Sequence, residues 1–200
     1  MKRMFLAPLM SLALAAPALA DKIPLNDLAR YINGIKTVTS DFTQINDDGS
    51  IDTGTIFIKR PGRARFEYDA PNDSLVMAGG STVAIFDAKS NVAPEQFPLK
   101  RTPLNLILAR NIDFNKSRMI VGHQEEGEAT VVTAQDPDNP QYGNIQLKFT
   151  GNPIQLRQWV ITNEYGSQTT VIMQELKETA SIPARKFSIT QEMQARGLSD

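Results

Sequence analysis

Apolar side chains recur with a period of two along most of this chain. That rhythm, carried over eleven short segments, dictates an antiparallel β architecture. Residues 36–46, 53–60, 63–69, 74–78, 82–88, 117–121, 129–135, 144–149, 155–163, 169–175 and 186–190 read as strands, each bounded by Gly, Pro, Asn, Asp or Ser. The clearest pair lies between Phe42 and Pro71. Ile56 and Ile58 share one face, and after Pro61-Gly62 the alternation resumes with Ala64, Phe66 and Tyr68 opposite Arg63, Arg65 and Glu67. Pro61 supplies a preset φ and Gly62 a positive one, as a type II turn asks, so the segment predicts a hairpin with one apolar face.

Helical periodicity is confined to two places. Residues 24–33 put Leu25, Leu28, Ala29 and Ile32 on one side, and residues 103–110 follow Thr102-Pro103, an N-cap with proline at the first helical position. Both are shorter than the roughly 12–15 residues that hold a helix together unaided in water, so each needs an apolar surface to lie on. A large sheet with one apolar face must in turn be covered by a second sheet, by helices or by a ligand. Periodicity alone leaves two architectures open: a β-sandwich whose faces fill each other, and an open barrel curled around the two helices with a lipid-sized interior. In the open barrel, Phe42, Ile56, Ile58, Phe66, Tyr68, Met77 and Phe86 are expected to line the cavity. The second helix carries a stripe of Leu104, Ile107 and Leu108, with Leu106 off it. Apolar on more than one face, it is either a buried core helix or a lid, tethered by residues 89–102 with their Pro94 and Pro98.

The remaining features narrow the function classes. Lys2 and Arg3 precede an apolar run that ends in Ala18-Leu19-Ala20, the form of a secretory signal peptide cleaved before Asp21, with residues 21–200 as one domain. The chain has no cysteine, which removes disulfides, thiolate catalysis, zinc–thiolate sites and a thioether lipid anchor together. With 21 basic and 22 acidic residues, nothing calls for nucleic acid. His123, the one histidine, stands beside the acidic segment 124–128 and reads as a solvated loop residue, and Asp136-Pro137-Asp138-Asn139-Pro140 reads as a hairpin loop, lacking the spacing of a calcium loop. Trp159 and Val160 belong to a strand, Trp159 as a wall aromatic. No Gly-x-Ser-x-Gly elbow supports an esterase, and no nucleophile–base set stands out, so no catalytic residue, metal or cofactor is expected.

Three elements, Phe42-Thr43-Gln44, the Lys59-Arg60-Pro61 hairpin and Leu106-Ile107-Leu108-Ala109-Arg110-Asn111, resemble those of the periplasmic lipoprotein carrier family, LolA. The resemblance implies a mainly β fold: an open, incomplete antiparallel barrel of about eleven strands with short α-helices forming a lid. It implies a periplasmic chaperone that shields the acyl chains of lipoproteins and carries them from the inner to the outer membrane. Acylated lipoproteins and an inner-membrane lipoprotein-releasing ABC transporter complex are the implied partners; an outer-membrane receptor is left open, and a monomer is expected. Leu104, Leu106, Ile107 and Leu108 fall on the family's lid. Arg60 falls on its latch, an arginine that holds the lid by hydrogen bonds to backbone carbonyls; without the resemblance, Arg60 reads rather as a surface partner of Glu67 or Asp69. Residues 191–200 depart from the family and read as a polar tail, helical or disordered. A related open-barrel sensor of lipid-like signals is the alternative.

Overall fold

The computed structural model describes residues 21–87 and 89–198. The signal-peptide segment lies outside the described residues. Strands β1 (Thr37–Ile45), β2 (Ile51–Lys59), β3 (Arg63–Tyr68), β4 (Leu75–Gly79), β5 (Thr82–Phe86), β6 (Glu95–Pro98), β7 (Ile120–Glu126), β8 (Ala129–Gln135), β9 (Asn144–Thr150), β10 (Gln155–Thr162), β11 (Gln168–Met173) and β12 (Lys177–Glu178) form one sheet. Its order is β6-β5-β4-β3-β2-β1-β11-β10-β9-β8-β7, with β12 on β1, all pairings being antiparallel. The end strands β6 and β7 do not meet, so the barrel is incomplete. A single sheet also excludes the sandwich.

How strongly the sheet curls can be judged from one ring contact. β3 and β10 are four places apart in the strand order, which in a flat sheet would separate them by roughly 19 Å. Yet the rings of Phe66 and Trp159 lie 6.0 Å apart, edge to face. Phe42 joins them at 5.7 Å from Phe66 and 5.3 Å from Tyr68. Gly54 makes room for this cluster: a Cβ there would stand 2.9 Å from the Phe42 ring and 2.1 Å from the Glu67 carbonyl oxygen.

Two helices fill the inner face. α1 (Leu25–Gly34) buries Leu28, Ala29 and Ile32, the predicted stripe, at about 1.5–3 kcal/mol for each large side chain. α2 (Asn105–Leu108) is a single turn and buries Leu106, Ile107 and Leu108. It is shorter than the 103–110 expected, and Thr102 is not its cap. The Thr102 hydroxyl instead donates to the carbonyl of Leu99 at 2.9 Å, which ends the preceding 3-10 turn.

The sequence reading needs correction at four other points. Residues 186–190 are not a strand: they close a 3-10 turn (Ala184–Phe187) and start α3 (Ile189–Ala195). The Ser188 side chain caps α3 by accepting from the Gln191 N–H, while Phe187 is buried against the sheet with its carbonyl 2.1 Å from where a Cβ on Gly79 would sit. Residues 95–98, expected as a tether, form the edge strand β6, where Pro98 pairs with Thr82 without disturbing an inner ladder. β12 also went unread. The strand expected at 117–121 is β7, displaced to Ile120–Glu126, and it includes His123.

Candidate functional site

The inner face is closed by its own chain. Leu106 is 6% exposed, Ile107, Leu108 and Phe114 are each 1% exposed, and all four pack into the same cluster as Phe42, Ile56, Ile58, Ala64, Phe66 and Trp159. Leu104 is partly buried beside them. What remains open next to Leu106 is a cleft of about 110 Å³ whose apolar lining includes Met119, Ala134, Ile145 and Ile161. The lipid-sized void expected from the open-barrel reading is therefore occupied by α1 and α2, because a bare apolar face of this extent would cost more than folding the chain over it.

Arg60 follows β2 and continues its alternation, Ile56 and Ile58 pointing inward before it. One guanidinium nitrogen, Nη1, donates to the carbonyl of Ile32. The other, Nη2, donates to Ala109 O at 2.6 Å and Asn33 Oδ1 at 3.2 Å. It thus ties the C-terminal end of α1 to the residue that ends α2. Carbonyls at helix ends have spare acceptor capacity and carry the negative pole, so a cation is suited to both. Lys36, two residues past α1, adds a second positive group at that helix end, with Nζ 3.2 Å from the Asn33 carbonyl. Burial lowers the pKa of the Arg60 guanidinium, and Nε has no partner. Neither Glu67 nor Asp69 pairs with it: Glu67 holds Arg65 and Lys186, and Asp69 accepts from the Thr53 hydroxyl.

Two further contacts, which the sequence reading missed, hold the α2 segment. The Gly62 N–H, in the hairpin turn where φ is +74°, donates to Leu108 O at 2.9 Å. Asn33 donates through Nδ2 to Ile112 O at 2.8 Å and accepts from Ile112 N at 3.0 Å. The Pro-Gly turn could be read from the sequence; its contact with α2 could not.

Not every residue expected in the cavity is there. Phe42, Ile56, Ile58, Phe66 and Tyr68 face inward, Tyr68 with its hydroxyl donating to Gln44 Oε1 at 2.8 Å. Burial, then the Asp52 charge, push the Tyr68 pKa up to about 12 against the Gln44 hydrogen bond. Met77 and Phe86 are on the other side. Register pairs Arg65 with Met77 and Leu75 with Phe86, so these residues project from the outer face, where they form a separate cluster with Leu75 and Ala84 under Ile189, Met193 and Leu198. Residues 191–198 of the expected polar tail complete that cover. An ion pair fastens it, Glu192 meeting Arg65 of β3 at 2.9 Å, while Glu192 also pairs along the helix with Arg196 at 2.9 Å.

The other singled-out residues fall elsewhere. His123 is in a strand, not a free loop, with Nε2 2.9 Å from the Ile23 carbonyl. Asp136 organises the β8–β9 loop by accepting from the N–H groups of Asp138 and Asn139. Among the described residues, no group of three or more His, Cys, Asp or Glu is placed to hold a metal, and no helix is long and apolar enough to cross a membrane.

Comparison with known proteins gives consistent findings. The chain is 28% identical to an outer-membrane lipoprotein carrier protein of Chromobacterium violaceum, over 92% of this chain and 91% of that one. It is 25% identical to the protein of the same description from Azotobacter vinelandii, over 86% of each. Among solved structures it is similar to a LolA superfamily protein from Nitrosomonas europaea, with a TM-score of 0.45, 9% identity and coverage of 83% of this chain and 98% of that one. Residues 33–190 match the family model described as outer membrane lipoprotein carrier protein LolA, and the chain belongs to that family.

Proposed function

We propose that this protein is a periplasmic carrier of outer-membrane lipoproteins, and that it shelters their acyl chains against the inner face of the incomplete barrel. The observation that carries this reading is an apolar face covered by α1 and the single turn of α2. That turn is tied down through backbone carbonyls by a half-buried arginine and a turn amide.

Magnitudes explain why such a cover suits a carrier. Burying Leu106, Ile107 and Leu108 is worth about 1.5–3 kcal/mol each, so opening α2 forfeits about 5–9 kcal/mol. One long acyl chain, at about 0.8 kcal/mol per methylene, returns on the order of 10 kcal/mol when buried. The two nearly balance. Cargo displaces the lid, and the lid's return helps to expel cargo, so affinity is limited by the work of opening. Arg60 sets the bias: anchored on Ile32 of α1, it bonds Ala109 with the lid shut and gives that bond up when α2 moves. Phe42, Ile56, Ile58, Phe66 and Tyr68 would then face the acyl chains. Cargo is received from an inner-membrane lipoprotein-releasing ABC transporter complex in this reading, and the protein performs no covalent chemistry.

Mass spectrometry of the protein isolated from its native periplasm tests this, with acylated lipoproteins expected as the copurifying species. Correct placement of outer-membrane lipoproteins after depletion of the protein would overturn the proposal.

A further inference from the structure

Asn33 occupies the last turn of α1, and its carboxamide makes three contacts at the junction of the lid. Nδ2 donates to Ile112 O at 2.8 Å, and Oδ1 accepts both from Ile112 N at 3.0 Å and from Arg60 Nη2 at 3.2 Å. One side chain thus satisfies both backbone groups of a residue four positions beyond α2, as a partner strand would. It also touches the same guanidinium nitrogen that reaches Ala109 at 2.6 Å. The chain continues from Ile112 to Phe114, which is 1% exposed.

We propose that Asn33 is a positioning residue of the lid: it pins the lid's trailing end to α1 at Ile112 and aims the Arg60 guanidinium at Ala109. With the pin in place, α2 is bounded by two fixed points, the Leu99–Thr102 turn before it and Ile112 behind it. Its opening is then a swing of a short loop about known ends. Without the pin, the segment from α2 to Phe114 keeps only the apolar packing of Ile112 and Phe114 at its far end, and Arg60 keeps Ile32 O and Ala109 O but loses its third acceptor. This inference rests on the lid reading of α2 given above.

The test compares Asn33→Ala, Asn33→Asp and Arg60→Leu with the unaltered protein by amide hydrogen exchange of the 103–114 segment, alongside urea denaturation. No cargo is needed. Asn33→Ala is expected to speed exchange across 103–114 about tenfold while strands β1–β3 exchange as before. Asn33→Asp keeps an acceptor for both Ile112 N and Arg60 and is expected to return exchange to within about threefold of the original. Combining Asn33→Ala with Arg60→Leu should give less than the product of the single effects, since the two groups share one contact. Unchanged exchange at 103–114 in Asn33→Ala, or a rise spread evenly over the whole chain, would overturn the proposal, as would strict multiplicativity in the double variant. Exchange behaving as expected while the unaltered protein fails to pass on lipoprotein would sink the carrier reading and leave the pin standing.

Discussion

The two faces of the sheet carry the same problem and solve it differently. Each has an apolar patch covered by a short helix. On the inner face the cover is α2, joined to its surroundings through main-chain carbonyls that accept from Arg60 and Gly62. On the outer face it is α3, whose Glu192 is gripped by Arg65 and Arg196 while Arg196 stands 5.1 Å over the Phe86 ring. The inner cover is held by donors to its main chain, and the outer one by a side-chain ion pair from Glu192 across to Arg65. The contrast teaches that the fastening on the inner face does not depend on which side chains α2 carries, whereas that on the outer face does.

The largest expected effect tests whether the inner cluster is the main core. Phe42→Ala removes a ring that is 2% exposed and contacts both Phe66 and Tyr68, and should lower unfolding free energy by about 3–5 kcal/mol in urea titrations. Met77→Ala on the outer face should cost about 2–5 kcal/mol in the same assay yet leave cargo capacity intact. Lost capacity in Met77→Ala would break the distinction between the faces.

Next in size, Arg60→Leu deletes the donors to Ile32 and Ala109 and adds apolar surface at the rim. A charge-assisted network of about 1.5–3 kcal/mol shifts the open-to-closed ratio by about one to two decades. In a reconstituted transfer assay this variant should accumulate as a soluble lipoprotein complex and hand its cargo on poorly; normal hand-over would leave the latch without its residue.

The pH signatures of the two faces should have opposite sign. Tyr68 has its pKa raised from 10.0 to about 12 in the fold. Its neutral form is the one the inner face favours, so the stability it contributes is complete below pH 10 and is lost as pH rises towards 12, by roughly 2–3 kcal/mol at the end. Tyr68→Phe should flatten that alkaline limb. Glu192 is pushed up by burial but pulled down more by hydrogen bonds and charge from Arg65 and Arg196, leaving its pKa below 4.5. Its contribution is present above the unfolded value and is lost as pH falls through the folded one. For this part-buried pair, still screened by solvent, this is about 1 kcal/mol or less. Acid titration followed by fluorescence of a probe on α3 should show the helix loosening at low pH, and Glu192→Gln should remove that step.

Legibility in the sequence followed the same divide. Period-two alternation marked β1, β2, β3 and β9 well, because each has one covered and one wet face, and the stripe of α1 was plain for the same reason. β4 and β5 are covered on both sides, and there a period-two reading assigned Met77 and Phe86 to the wrong face: register, which only pairing partners set, decides which alternate residues point inward. The unbroken apolar run from Leu75 to Gly79 was the available hint of two-sided burial. Ser188 and Gln191, three apart as in a capping box, were a missed signal for the start of α3. Arg60 was legible through family resemblance and alternation together. Its partners Ile32 and Ala109, and the pin at Asn33, depend on a packing of α1 against α2 that no local pattern encodes.

The missing seam between β6 and β7 has a mechanical consequence. A closed barrel can widen only by breaking inter-strand hydrogen bonds, each of which resists. Here the first and last strands share none, so the wall can spread like the jaws of a split ring, with twist and curl absorbing the strain while every ladder stays intact. Both jaws also guard against sticking to a neighbour. β6 is four residues long and ends in Pro98, and β7 carries a register shift between Ile120 and Gly122 and the charges of Glu125 and Glu126. A wall of this kind can change girth without loss of strand pairing.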